Sequence, residues 1–309
     1  MIFTHAACLA HEPGPGHPES PARLAAVIDA LVSPDFSNLR RQQAPLATRE
    51  QLERVHDSAM VASIFHASPR DGSVRLDPDT AMSPGSLEAA LRAAGAVVAA
   101  IDSVFADDVV SRRAFCAVRP PGHHATAHVP MGFCLFNSVA VGAAHALARA
   151  EVERVAIIDF DVHHGNGTQD IFASDPRVLY VSSHQSPLYP GTGAASEQGV
   201  GNIVNLPLPP GSGGREFARA WSGIGLPAIN SFAPDLILVS AGFDAHRLDP
   251  LANLNLEAGD YAWLTTELVA LADRHCAGRI VSALEGGYSL TALRECTHAH
   301  VAALFTASV

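Results

Sequence analysis

The chain contains no lysine; all 20 of its basic residues are arginine. It therefore has no side-chain amine of its own to acylate, and the bias reads as the coding preference of a GC-rich bacterial genome. It also has no paired cysteines. Cys8, Cys116, Cys134, Cys276 and Cys296 are scattered and odd in number. That pattern excludes a disulfide framework and a thiolate metal site, and it fits free thiols in a reducing cytoplasm. No apolar run is long enough to span a bilayer, and the most apolar helical stretch, 93–101, is flanked by Arg92 and Asp102. The N-terminus has no basic residue ahead of its short apolar run, so it does not read as a signal peptide. With a net charge of -11, the chain lacks the basic face that nucleic acid requires. The same charge is compatible with a cationic substrate.

No internal repeat, linker or composition break divides residues 1–309, which read as one domain. Short β-branched runs alternate instead with Ala/Leu-rich helical stretches. This is the pattern of an α/β fold of three layers, a mostly parallel sheet flanked by helices. Candidate strands are 114–118, 155–159, 178–182, 236–241 and 280–284, each nearly continuous in apolar residues, as for strands buried on both faces. Candidate helices are 21–31, 86–104, 138–150, 216–229, 256–274 and 290–305.

Four of these strands run directly into polar, Gly-flanked segments. The first leads to Arg119-Pro120-Pro121-Gly122-His123-His124. The second leads to Asp159-Phe160-Asp161-Val162-His163-His164-Gly165-Asn166. The others lead to Gly242-Phe243-Asp244-Ala245-His246 and to Glu285-Gly286-Gly287-Tyr288. The carboxyl ends of parallel strands are where open α/β sheets bind ligands.

Asp161 and His163 lie two residues apart at a strand end, so their side chains can point to one side. A carboxylate and an imidazole suit Zn²⁺, and Asp244 is the natural third ligand of a site with an open position. Two acids and two histidines within six residues of a buried strand end would be costly to desolvate without a cation. A two-metal site would need a further carboxylate, and the third strand end offers Asp244-Ala245-His246 instead. The adjacent His123 and His124 each need a partner, and Asp159 and Asn166 are available. A carboxylate makes an imidazole more basic than an amide does, so such a pair divides into a charged histidine and a proton shuttle. Tyr288, in a Gly-Gly-Tyr turn, can bring a phenol hydroxyl to a developing oxyanion.

Together these segments resemble the zinc-dependent histone deacetylase and acetylpolyamine amidohydrolase superfamily, which has the arginase-like α/β fold. The likeness runs from HPESPARL (from His17) through RPPGHHA, MGFCLFN, DFDVHHGNGTQ, HQSPLYPGTG and SAGFDAHRLDPL to LEGGYSL. The wording DVHHGNGT is closer to the class II branch and its bacterial relatives. The resemblance implies one catalytic Zn²⁺ on Asp161, His163 and Asp244, and His124 as general base and then acid. It implies His123 paired with Asp159, Asn166 orienting His124, and Tyr288 as the oxyanion donor. Phe133, beside Gly132, would wall an acyl-lysine tunnel. Leu188 or Tyr189 would replace the second wall phenylalanine, and Gly286 would complete the substrate site. Arg23 matches an arginine lining an internal acetate pocket, and Asp79 a rim residue that grips the substrate backbone. A structural K⁺ or Na⁺ would sit against Asp159, Asp161, His163, Ser182 and Ser183, with a second near Phe172 and Val178.

The expected reaction is hydrolysis of an N-acyl, chiefly acetyl, amide of lysine in a peptide or protein. An acetylated polyamine is the alternative substrate, and Asp249, Glu257 and Asp260 are the acids available for a polyamine gate. A catalytically silent acyl-binding module is disfavoured because no ligand, histidine or tyrosine is missing. A ureohydrolase is disfavoured by the absent second carboxylate. Acyl-chain preference and oligomeric state have no signature in the sequence.

Overall fold

A computed structural model describes residues 1–106 and 111–306. The strands among them are β1 (Ile2–Thr4), β2 (Arg41–Gln43), a short β3–β4 hairpin (Val74–Arg75 and Ala81–Met82), β5 (Arg113–Cys116), β6 (Val155–Asp159), β7 (Val178–Gln185), β8 (Ile203–Leu208), β9 (Leu236–Ala241) and β10 (Ile280–Leu284). Eight of them form one sheet in the order β2-β1-β5-β10-β9-β6-β7-β8. Every pairing in it is parallel. The innermost strands are buried from end to end because their runs, VAIID in β6, LILVSA in β9 and IVSAL in β10, are apolar on both faces.

The helices are α1 (Pro21–Leu31), α2 (Arg49–Leu52), α3 (Ser58–Ala67), α4 (Ser86–Phe105), α5 (Ser138–Leu147), α6 (Asn166–Phe172), α7 (Gly214–Ala220), α8 (Leu226–Phe232), α9 (Ala258–His275) and α10 (Leu290–Phe305). A single π turn, Trp221–Gly225, joins α7 to α8. α4 and α5 pack on each other and reach β1, β5, β6 and β9, whereas α1, α9 and α10 form a second group that reaches β5 and β9. α4 is rich in alanine where it packs, with Ala89, Ala90, Ala93, Ala94 and Ala96 all buried. Small side chains allow close approach of its backbone to the sheet.

One polar bridge crosses the second layer. His300 of α10 is fully buried between the hydroxyls of Thr265 on α9, at 2.7 Å, and Ser282 on β10, at 2.9 Å. Burial lowers its pKa to about 3; it also lowers those of His56 and His184 to about 4. Each imidazole stays neutral in the fold but protonates near pH 6.5 once unfolded. Their contribution to stability is therefore complete above pH ~6.5 and is lost as the pH falls through the folded values, at about 1.4 kcal/mol per pH unit for each histidine. His300→Gln should remove about one proton from the pH dependence of urea unfolding between pH ~6 and ~4. An unchanged slope would mean that His300 is not buried neutral.

Candidate active site

The four strands that end in polar segments are neighbours in the sheet, β5-β10-β9-β6, so their carboxyl ends converge. Asp161 and His163 follow β6, and Asp244 follows β9. The three are buried, and their ligand atoms lie within 4.8 Å of one another. Backbone amides orient the carboxylates. Asp161 accepts from Gly286 N at 2.8 Å and His163 N at 2.9 Å, and Asp244 Oδ1 accepts from Val162 N at 2.8 Å. Asp244 Oδ2 is buried without a hydrogen-bond donor, 3.3 Å from His163 Nδ1. Burial, and then the Asp161 charge, raise the Asp244 pKa to about 7. An orphaned buried oxygen and a carboxyl short of positive charge are both relieved by a cation. Two carboxylates and one imidazole with an open side fit a single catalytic metal. Gly286 proves to face these ligands: a Cβ there would fall 2.1 Å from Asp244 Oδ2 and 2.5 Å from Asp161 Oδ2. Only glycine lets the chain pass so close.

The tandem histidines follow β5. His123 Nδ1 lies 3.0 Å from Asp159 Oδ2, which also accepts the Tyr180 hydroxyl at 2.9 Å. His124 Nδ1 lies 2.8 Å from Asn166 Oδ1. The two rings stack obliquely, with centroids 4.0 Å apart and planes at 44°. The loop that carries them is tied to Glu285, unassigned by sequence reasoning although it directly follows the apolar run of β10. Its Oε2 accepts from both Gly122 N, at 2.6 Å, and His123 N, at 3.2 Å. Burial opposes charge on His123, but the carboxylates of Asp161 and Asp159 outweigh it and hold its pKa well above the usual value. Burial, followed by the charge of His123, keeps His124 well below it.

Tyr288 is held at its backbone. Asp249 Oδ2 accepts from Tyr288 N at 2.7 Å and Ser289 N at 3.3 Å. Burial raises the phenol pKa well above its ordinary value, so the hydroxyl remains a donor. Arg23 lies over the Tyr288 ring at 4.8 Å and donates to Gly287 O at 2.6 Å. It also pairs with the buried Glu19, which Arg119 binds as well. Arg23 is thus part of a closed ion cluster behind the tyrosine loop and does not line the catalytic cavity.

That cavity has a volume of about 200 Å³. His124, His163 and Tyr288 line it together with Phe133, Gly132, Asp79, Leu188, Tyr189 and Leu251. The rings of Phe133 and Tyr288 meet edge to face at 6.0 Å. Leu188 and Tyr189 both form wall. The Tyr189 ring stands edge-on to His124 at 5.1 Å and to His163 at 6.3 Å. Leu251, the last residue of the SAGFDAHRLDPL segment but assigned no role from the sequence, occupies the wall after Asp244. The three acids considered for a gate lie elsewhere. Asp249 is buried under Tyr288, Glu257 pairs with Arg247 at the start of α9, and Asp260 accepts from Glu257 N at 2.8 Å. Ser182 and Ser183 are buried on β7, with Ser182 in register beside Asp159.

The family model of the histone deacetylase domain matches residues 17–304. The chain is 41% identical to histone deacetylase 14, chloroplastic, of Arabidopsis thaliana, over 95% of this chain and 74% of that one. It is 40% identical to a probable deacetylase of Archaeoglobus fulgidus, over 94% and 81%. A histone deacetylase-like amidohydrolase of Pseudomonas aeruginosa is 41% identical, over 89% and 73%. Among solved structures, the crystal structure of the HDA15 HD domain superposes with a TM-score of 0.91 at 36% identity, covering 98% of this chain and 87% of that one. Family, fold and metal-binding triad agree, and the chain belongs to the histone deacetylase family as a metal-dependent hydrolase that carries out deacetylation.

Proposed function

We propose that this chain is a single-domain zinc deacylase that removes an acetyl group from the lysine side chain of a peptide or protein. The observation that carries the reading is the Asp161–His163–Asp244 cluster, set beside the tandem histidines and Tyr288 around one narrow cavity. Asp79 and the walls formed by Phe133, Leu188 and Tyr189 would grip and enclose the substrate.

Zinc, when bound, would polarise the acyl carbonyl and lower the pKa of a water towards about 7. The protein supplies the rest. Asn166 Oδ1 can only accept, so His124 Nδ1 carries the proton and Nε2 is the free base. His124 takes a proton from the attacking water and returns it to the leaving amine, giving a carboxylate and a free amine. Asp159 keeps His123 charged beside it. The Tyr288 hydroxyl donates to the developing oxyanion. A K⁺ or Na⁺ against Asp159, Asp161, His163, Ser182 and Ser183 would brace the strand ends from below. All five cysteines are free and buried, which suits a reducing, cytoplasmic setting.

The runner-up is an acetylated polyamine, favoured by the net charge of -11 and by Asp79 on the wall. Against it, the position after Asp244 that faces the cavity is Leu251, which has no charge for a second ammonium. Turnover of zinc-loaded protein on acetyl-lysine peptides, acetylspermidine and acetylputrescine, with a hydroxamate control, separates the two. Preference for the peptides is expected; preference for the polyamines would overturn the substrate reading. On the better substrate, Tyr288→Phe should lose about 10²–10³-fold in kcat with zinc retained, the usual cost of one oxyanion donor. Near-normal kcat would remove Tyr288 from the mechanism.

A further inference from the structure

At the far end of α6 from the active site, the turn into β7 directs three backbone carbonyls, those of Phe172, Asp175 and Val178, at one point. That point is filled by the side-chain nitrogen of Asn202, at 2.8, 3.0 and 2.8 Å from the three oxygens. A carboxamide nitrogen has only two protons, so the cage holds more acceptors than its occupant has donors. Converging carbonyls with no carboxylate among them are the usual surroundings of a monovalent cation. The family resemblance implies just such an ion near Phe172 and Val178. The residues here do not fit one, because a nitrogen within 3.0 Å of all three oxygens leaves no volume between them.

We propose that the Asn202 amide takes the place of the second monovalent cation, so that this chain carries a fixed occupant of its own. The orientation of the amide is set independently, since Asn202 Oδ1 accepts from Val200 N at 3.1 Å. The residue is 4% exposed, and its backbone carbonyl accepts from Tyr180 N at 2.9 Å. The loop closes around the amide. A Cβ on Gly199, where φ is +56°, would lie 2.6 Å from Asn202 Oδ1 and 2.5 Å from Ala173 O. The covalent occupant brings only partial positive charge, but it need not shed a hydration shell and is not diluted away.

The clamp bears on the active site through α6. Its first residue is Asn166, partner of His124, and its last is Phe172, whose carbonyl enters the cage. Anchoring of α6 at this end is therefore independent of salt. The inference stands on the cage alone and not on the substrate reading.

Anomalous diffraction from crystals soaked in a thallium(I) salt tests it. The wild-type protein should show no thallium peak among the carbonyls of Phe172, Asp175 and Val178, whereas Asn202→Ala should show one. In solution, the Tm of Asn202→Ala should rise by several degrees when tetramethylammonium chloride is replaced by potassium chloride at equal ionic strength. The wild-type Tm should shift less. A thallium peak inside the wild-type cage, with Asn202 displaced, would overturn the proposal without recourse to the variant. So would an Asn202→Ala protein that gains neither a peak nor any added response to potassium.

Discussion

Replacing Asp161 by alanine should abolish metal binding and turnover together, with metal content falling from about one ion per chain to background. The substitution removes one of the three proposed ligands. It also takes the acceptor from Gly286 N and His163 N, so the strand-end loops lose their register around the cavity. Asp161→Asn keeps the shape and separates the two effects. It should preserve the fold while binding metal far more weakly, because the lost quantity is charge. Metal analysis by mass spectrometry beside a far-ultraviolet spectrum is sufficient. A folded Asp161→Ala protein with a full complement of metal would refute the ligand assignment.

His124→Ala should lower kcat by about 10²–10⁴-fold, the range for a positioned acid–base group, with metal content unchanged. His123→Ala should cost less at neutral pH. Its ring is bound to the buried Asp159 and in the proposed mechanism acts through its charge, whereas His124 borders the cavity and has its Nδ1 occupied by a neutral amide. Parallel kcat measurements near pH 7.5 on the two variants decide the order. A larger loss for His123→Ala would exchange the two roles.

The central strands were legible because each is a continuous apolar run that only burial on both faces explains. β2 was not legible: Arg41–Gln43 is exposed throughout and joins the sheet through backbone bonds to β1, a contact without a sequence signature. β1 is too short to register. β8 is interrupted by Asn205 and Pro207, which mask its alternation. α6 hides inside the motif, its first residues being polar and glycine-containing. Among site residues, those proposed to carry the chemistry were readable from their place at the strand ends. Their supports were not. Glu285 braces a loop 162 residues away and Asp249 caps amides 39 and 40 residues away. Leu251 reaches the cavity only because the chain turns after Asp244. Such roles are set by tertiary distance, to which sequence spacing is blind.

The two outermost strands also bear on how the protein behaves when crowded. An eight-stranded sheet presents two unpaired edges, each a template for a strand from another molecule. Here one edge is the three-residue Arg41-Gln42-Gln43, short, polar and charged. The other carries the exposed Pro207, which has no N–H to extend a ladder. Both ends of the sheet are thus poor seeds for intermolecular strand growth. The concentrated protein should therefore resist fibrillar aggregation through its sheet edges.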